Sequence, residues 1–107
     1  MKLISREELK EKLDRGDDFK LVMVLGDGAF HAKHIPGSLN ISTPEARREM
    51  LNPDDEIVVY CSGPDCIASV QAFNILEENG YTRVRRCAGG ILAWEEAGYP
   101  LEGNMVE

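Results

Sequence analysis

The chain predicts one α/β domain, a parallel sheet with helices on both faces. Three observations carry this. Leu21-Val22-Met23-Val24-Leu25 and Ile57-Val58-Val59-Tyr60 are continuous apolar runs, the pattern of strands buried on both faces. Around them lie stretches with helical periodicity and helix caps. The connections are short, and no repeat, low-complexity tract or internal boundary interrupts the 107 residues. Strands and helices therefore alternate as a parallel sheet requires.

The elements follow in order. Ser5-Arg6-Glu7-Glu8 is a capping box, with Ile4 and Leu9 placed as a hydrophobic staple. Leu9 and Leu13 continue a helical stripe, and Gly16 stops it. Leu21 to Leu25 is the first strand. Residues 26–34 hold a short helix with Phe30 toward the core. His34-Ile35-Pro36-Gly37 is a turn, and Ser38 to Ile41 a short strand. Thr43-Pro44-Glu45 reads as N-cap, N1 proline and an acid at the positive helix end, opening a helix to about Leu51. Pro53-Asp54-Asp55 turns into the strand Ile57–Tyr60. Val70, Phe73 and Leu76, with Ala72 and Ile75 beside them, recur at helical spacing up to Gly80. Tyr81 to Arg86 reads as a strand, Gly89-Gly90 as a turn, and Ile91 through Trp94 to Gly98 as a last helix.

Composition narrows the function classes. Hydrophobic content of 43% and charged content of 29% are ordinary for a globular domain with one small core. A net charge of -7 and no basic stripe argue against nucleic acid as a partner. The start MKLISREELK has no apolar signal segment, and no run approaches membrane-span length. The expectation is a cytoplasmic monomer that touches no membrane. Three cysteines, an odd number, fit reduced thiols better than a disulfide scaffold.

Cys61 stands out among them. It directly follows Ile57–Tyr60 and precedes Ser62-Gly63-Pro64-Asp65 and a helix. Strand, thiol, tight loop, helix is an order that turns backbone N–H groups and a helix N-terminus toward the sulfur. Both favour an anion, so a thiolate there is a stabilised nucleophile. Cys66, five residues on, is either a resolving thiol for Cys61 or a small packing residue. The first requires a Cα separation under about 7 Å. Cys87 reads as a packing residue at a strand end, and His34 as a hydrogen-bonded turn histidine. Phe73 and Trp94 read as core. The cysteines and histidines lack the spacing of a metal site, so neither metal nor organic cofactor is expected.

With these residues assembled, the chain resembles the single-domain rhodanese-like (sulfurtransferase) family. His34 to Ile41, HIPGSLNI, is similar to the family's GHIPGA segment. Ile57 to Cys61, IVVYC, is similar to the strand that delivers the active-site cysteine. Ala88 to Gly103, AGGILAWEEAGYPLEG, is similar to the closing GGI-x-x-W stretch. The resemblance implies a rhodanese-like central parallel sheet spanning residues 1–107 as one domain. It also implies double-displacement sulfur transfer. A small donor leaves its outer sulfur on Cys61 as a persulfide, and a thiol or cyanide removes it; a sulfur-carrier protein is one candidate acceptor. Ser62, Gly63, Pro64, Asp65, Cys66, Ile67 and Ala68 match the loop that cradles the sulfur with backbone N–H groups.

The chain departs from the family in two places. Met23 and Leu25 stand where many members carry an Asp-x-Arg pair. The common loop pattern is C-x-x-x-x-R-S, but here the matching serine is Ser69, eight residues after Cys61. The loop is then two residues longer, and Ala68 takes the arginine's place. No Lys or Arg lies between Cys61 and Ser69, and Asp65 adds negative charge. A dianion such as thiosulfate then meets only backbone donors unless Lys33, Arg47, Arg48, Arg85 or Arg86 reaches in, so weak thiosulfate turnover is expected. Asp65 is also a candidate helix cap. A phosphatase-like C-x₅-R clamp is absent, since Ile67 holds the arginine position. Two rivals stay open, a dithiol redox module built on Cys61 and Cys66, and a non-catalytic interaction module that keeps the fold.

Overall fold

The computed structural model describes residues 1–41 and 43–106. In chain order the elements are α1 (Arg6–Arg15), β1 (Lys20–Met23), α2 (Asp27–Ala32), β2 (Leu39–Asn40), α3 (Pro44–Met50), β3 (Ile57–Tyr60), α4 (Ala68–Glu78), β4 (Val84–Cys87) and α5 (Gly90–Glu96). The strands form one sheet in the order β2-β1-β3-β4, and every pairing is parallel. The N-terminal segment adds a single parallel bridge, Leu3 to Arg86, on the free edge of β4.

Alternation along the strands feeds two cores, because successive side chains point to opposite faces. Leu21, Met23, Val58 and Tyr60 pack with Leu9 of α1 and with Ile91 and Trp94 of α5. Val22, Ile57, Val59 and Val84 pack with Phe73 and Leu76 of α4 and with Leu51, which follows α3. Both faces are thus covered, as the apolar runs require. Among the described residues, no helix is long and apolar enough to cross a membrane.

The caps act largely as read. Ser5 Oγ accepts from Glu8 N at 3.0 Å, and Gly16 takes φ 73°. Only this arm of the capping box forms among the described residues. The Glu8 carboxylate instead accepts from Arg85 Nη1 at 2.6 Å, tying α1 to β4. Thr43 Oγ1 caps α3 through Ala46 N at 3.1 Å.

Three strands differ from expectation in their bounds, β2 being only Leu39–Asn40 rather than Ser38 to Ile41. β1 starts one residue early and ends at Met23, although Val24 N still reaches Tyr60 O at 3.2 Å. β4 begins at Val84 rather than Tyr81. Residues 80 and 81 are used in closing α4, where Gly80 N donates to Glu77 O and Tyr81 N to Leu76 O. Tyr81 is buried as a plug below α4 instead. The last helix also starts inside the expected Gly89-Gly90 turn, at Gly90.

One hydrogen-bond cluster fixes the exit of β3. Tyr60 Oη accepts from Ile35 N at 3.0 Å and lies 2.8 Å from Ser38 Oγ, which donates to Ile35 O at 2.7 Å. The HIPG turn is thereby fastened to the residue preceding Cys61. Burial is the main reason the Tyr60 phenol is pushed above its ordinary range. Tyr60→Phe leaves the Ile35 N–H without its acceptor in the core. It is expected to lower stability by about 1–3 kcal/mol, measured by urea denaturation.

Lys12 is the buried cation of α1. Its ammonium meets Glu56 at 2.6 Å and Asp17 at 3.4 Å, and lies over the Phe19 ring at 4.9 Å from the centroid. The hydrogen bond from Lys12 is the main reason Glu56 is held below the usual carboxylate range, with Arg85 and Arg83 adding charge. A depressed carboxylate contributes stability above its unfolded pKa of about 4.3 and loses it as pH falls through the folded value. Glu56→Gln is therefore expected to cost on the order of 1–2 kcal/mol at neutral pH. The gap to wild type should close as pH drops below about 4, which urea denaturation across pH would show.

Candidate active site

β3 is a central strand of a parallel sheet, and Cys61 is the first residue past its C-terminal end. In open parallel sheets this edge is where ligands bind, because strands end there and loops and helix N-termini converge. Cys61 is 1% exposed. Its Sγ lies 4.0 Å from Ser62 Oγ.

The loop after Cys61 is braced from below by α5. Ile91 N donates to Cys61 O at 3.0 Å and Leu92 N to Ser62 O at 2.9 Å. Within the loop, Cys66 N donates to Gly63 O at 3.2 Å. The N–H groups of Ser62, Gly63, Asp65, Ile67 and Ala68 donate to no protein acceptor among the described residues. They are free to hold an anion, and Pro64 contributes no donor. α4 follows directly, with its N-terminus uncapped by any side chain.

Asp65 does not take the capping role read from the sequence. The cap position is Ile67, whose side chain cannot accept a bond, and Asp65 is exposed. Ser69 is the serine matched to the family's loop pattern. It sits in the first turn of α4, is 1% exposed, and its Oγ accepts from Arg86 Nε at 2.8 Å. Val70, expected on the buried stripe, is only half-buried in its place.

The cysteines depart from the expectation of three free thiols. Cys61 and Cys66 are joined by a disulfide, with a Cα separation of 6.2 Å. The bridge closes a loop of the site rather than stapling the fold. Cys66 is half-buried, the more exposed residue of the pair. Cys87 is a free, buried thiol, and burial pushes its pKa up. It packs in the α1–α5 core, as a packing residue should.

The candidate cations divide clearly. Lys33 is paired with Glu95 at 2.7 Å. Arg85 is paired with Glu8 and Glu56 on the α1 side. Arg48 lies in α3 with its side chain exposed. Arg86 supports the loop's far end through Ser69. Arg47 lines a cavity of about 220 Å³ between α3 and α4, with Val24, Ile41, Ala72 and Ala68, the loop's last residue. The Arg47 Nε is buried there with no hydrogen-bond partner among the described residues. No cation belongs to the Cys61 loop itself.

His34 is the turn histidine expected, with Nδ1 2.8 Å from Phe30 O and its ring stacked on Phe30 at 4.1 Å. His31 is exposed. Among the described residues no three His, Cys, Asp or Glu side chains stand close enough to hold a metal ion. Met23 and Leu25, at the site of the Asp-x-Arg pair, join the apolar core on the α1–α5 side.

Sequence reasoning missed three contributors. Tyr60 ties down the strand end, Arg86 hydrogen-bonds Ser69, and Gly90 gives the loop room. A Cβ on Gly90 would run into the Cys61 carbonyl oxygen and lie 2.9 Å from Gly63 N, and φ there is +58°. The Gly-Gly pair was legible as a break in the chain, but not what it packs against.

A parallel sheet with a cysteine at the end of a central strand, followed by a donor-lined loop and a helix, defines a rhodanese-type site. The rhodanese-like domain model matches residues 5–97, and the chain belongs to that family. It is 32% identical over 101 residues to a sulfurtransferase of Allochromatium vinosum, covering 92% of each chain. It is 36% identical over 101 residues to the HTH-type transcriptional regulator Rv0324 of Mycobacterium tuberculosis, covering 92% of this chain but only 44% of that one. The chain thus spans less than half the length of that relative. The solution structure of the rhodanese-like domain of the Anabaena sp. Alr3790 protein superposes with a TM-score of 0.87 at 26% identity, covering 98% of this chain and 81% of the other.

Proposed function

We propose that this domain moves sulfane sulfur from a small donor to a thiol or cyanide acceptor through a persulfide on Cys61. The observation that carries the reading is the free backbone N–H groups of the loop that begins at Cys61, at the C-terminal edge of the sheet. A thiolate attacks the outer sulfur of the donor, and those donors hold the charge that develops. Membership in a family whose relatives include named sulfurtransferases supports the same class of chemistry. The acceptor is a small thiol or a sulfur-carrier protein, and the domain works in the cytoplasm as a monomer without cofactor.

The donor is a less charged one than thiosulfate, or a protein or glutathione persulfide, whose other charges lie away from the reacting sulfur instead of beside it as in the compact thiosulfate dianion. Asp65 is the charged side chain within the loop, and Lys33 and Arg85 are committed to carboxylates elsewhere. The expected thiosulfate kcat/KM is below about 10⁴ M⁻¹s⁻¹, the low end for ordinary enzymes. Intact mass spectrometry of reduced Cys66→Ser tests the chemistry without bridge formation. Glutathione persulfide should add one sulfur atom that cyanide removes. A protein that takes up no sulfur from either donor would sink the proposal, and faster loading by thiosulfate would sink the donor assignment.

A further inference from the structure

Cys66 is not needed for sulfur transfer as proposed above, yet it stands bonded to the reacting sulfur. The loop brings Cys66 to bonding distance of Cys61 at a Cα separation of 6.2 Å, within the range of ordinary disulfides. The bond spans a turn closed by Cys66 N and Gly63 O at 3.2 Å. β3 keeps its full pairing to β1 and β4 while the bridge is in place, and the Ile91 and Leu92 bonds to Cys61 O and Ser62 O are kept too.

We propose that Cys66 resolves the Cys61 persulfide, so that the domain also reduces sulfane sulfur and releases it as sulfide. This rests on the Cys61 persulfide of the preceding reading. In the first step the Cys61 thiolate attacks the outer sulfur of glutathione persulfide. The donor's S–S bond breaks and glutathione leaves as its thiol. In the second step the Cys66 thiolate attacks Cys61 Sγ, the inner sulfur of the persulfide. The bond from Sγ to the outer sulfur breaks, and that sulfur leaves as hydrosulfide with the electron pair. The proton given up by the Cys66 thiol ends on the sulfide. The sulfane sulfur gains two electrons, and the two cysteines lose them as the disulfide forms. The Cys61–Cys66 bond in the structure is the same bond that this inner-sulfur attack forms.

The accessibility of the pair sets the direction of the return step. Cys61 is buried and Cys66 half-buried, so a reducing thiol meets Cys66 first. Attack there forms a mixed disulfide on Cys66 and expels Cys61 as the thiolate that the loop N–H groups favour. A second thiol, or the other half of a dithiol, then frees Cys66. Turnover therefore consumes two thiol equivalents for each sulfide released.

The test is a single turnover without oxygen. Wild type, Cys66→Ser and Cys66→Ala are reduced, stripped of reductant and mixed with glutathione persulfide. Bound mass and free sulfide are then measured after acid quench. Wild type is expected to lose two hydrogens and release one equivalent of sulfide per bridge. Both Cys66 variants are expected to hold the added sulfur and release no sulfide above the protein-free background. Overturning results are wild type holding a stable persulfide, a bridge formed without matching sulfide, or sulfide release unchanged in the Cys66 variants. If the variants also fail to take up sulfur, the Cys61 persulfide itself is wrong.

Discussion

Cys61→Ser is expected to remove sulfur uptake entirely while the sheet stays intact. A serine hydroxyl at this position is neither a thiolate near neutral pH nor able to carry a sulfur as a persulfide. The neighbouring loop keeps its shape from Ile91 and Leu92, which hold backbone oxygens rather than the side chain. The fall in kcat/KM with glutathione persulfide should be at least about 10³-fold, the scale for deleting a nucleophile. Urea denaturation under reducing conditions should give a midpoint close to that of the reduced wild type. A Cys61→Ser protein that still takes up cyanide-labile sulfur would place the carrier elsewhere. In this variant Cys66 and Cys87 are both free thiols; Cys87 is buried with its pKa raised and is poorly suited to that role, so the double variant Cys61→Ser/Cys66→Ser would show whether Cys66 had taken it. An iodoacetamide pH profile of reduced Cys66→Ser separates the catalytic reading from a non-catalytic module. A Cys61 thiol no more acidic than a model thiol, with pKa about 8.5, favours the module.

The second large effect is expected at Gly90, the first residue of α5. Its φ of +58° disfavours any side chain, and a Cβ would press on the carbonyl oxygen of Cys61 and on Gly63 N. That oxygen also accepts the Ile91 hydrogen bond, so the clash falls on one of the two hydrogen bonds that brace the loop against α5. Gly90→Ala is expected to cost about 2–4 kcal/mol by urea denaturation, combining backbone strain with overpacking. Sulfur uptake by the folded fraction should fall as well, because the cradle donors move with Cys61 and Ser62. Gly28→Ala is the contrast. A Cβ there meets nothing within 4 Å, its φ is ordinary, and it lies in α2. Its expected effect is neutral or a gain of up to about 1 kcal/mol. Equal losses at both glycines would remove the argument from the loop.

What the sequence determined by itself was everything carried by local pattern. The apolar runs at Leu21 and Ile57 established buried parallel strands, since strands covered on both faces leave no polar alternation. Ser5, Gly16 and Thr43 marked helix ends, because capping is settled within a few residues. The position of Cys61 was legible for the same reason: the strand, loop and helix around it are consecutive in the chain. The limits of β4 were not legible, because an apolar Tyr81 serves a strand or a helix exit equally well and only packing below α4 chose between them.

Tertiary structure alone decided what depends on residues far apart. Arg86 and Ser69 meet because β4 lies beside α4, and their bond makes Ser69 a buried acceptor. Glu8 left half of its capping box because Arg85 arrives from another strand. Asp65 lost its capping role because the chain enters α4 two residues later. The bridge between Cys61 and Cys66 needed a Cα separation that spacing leaves undetermined, since five residues of loop can fold to many lengths. Local sequence specifies φ and ψ preferences and which face is apolar; the meeting of two distant side chains is a property of the packed whole.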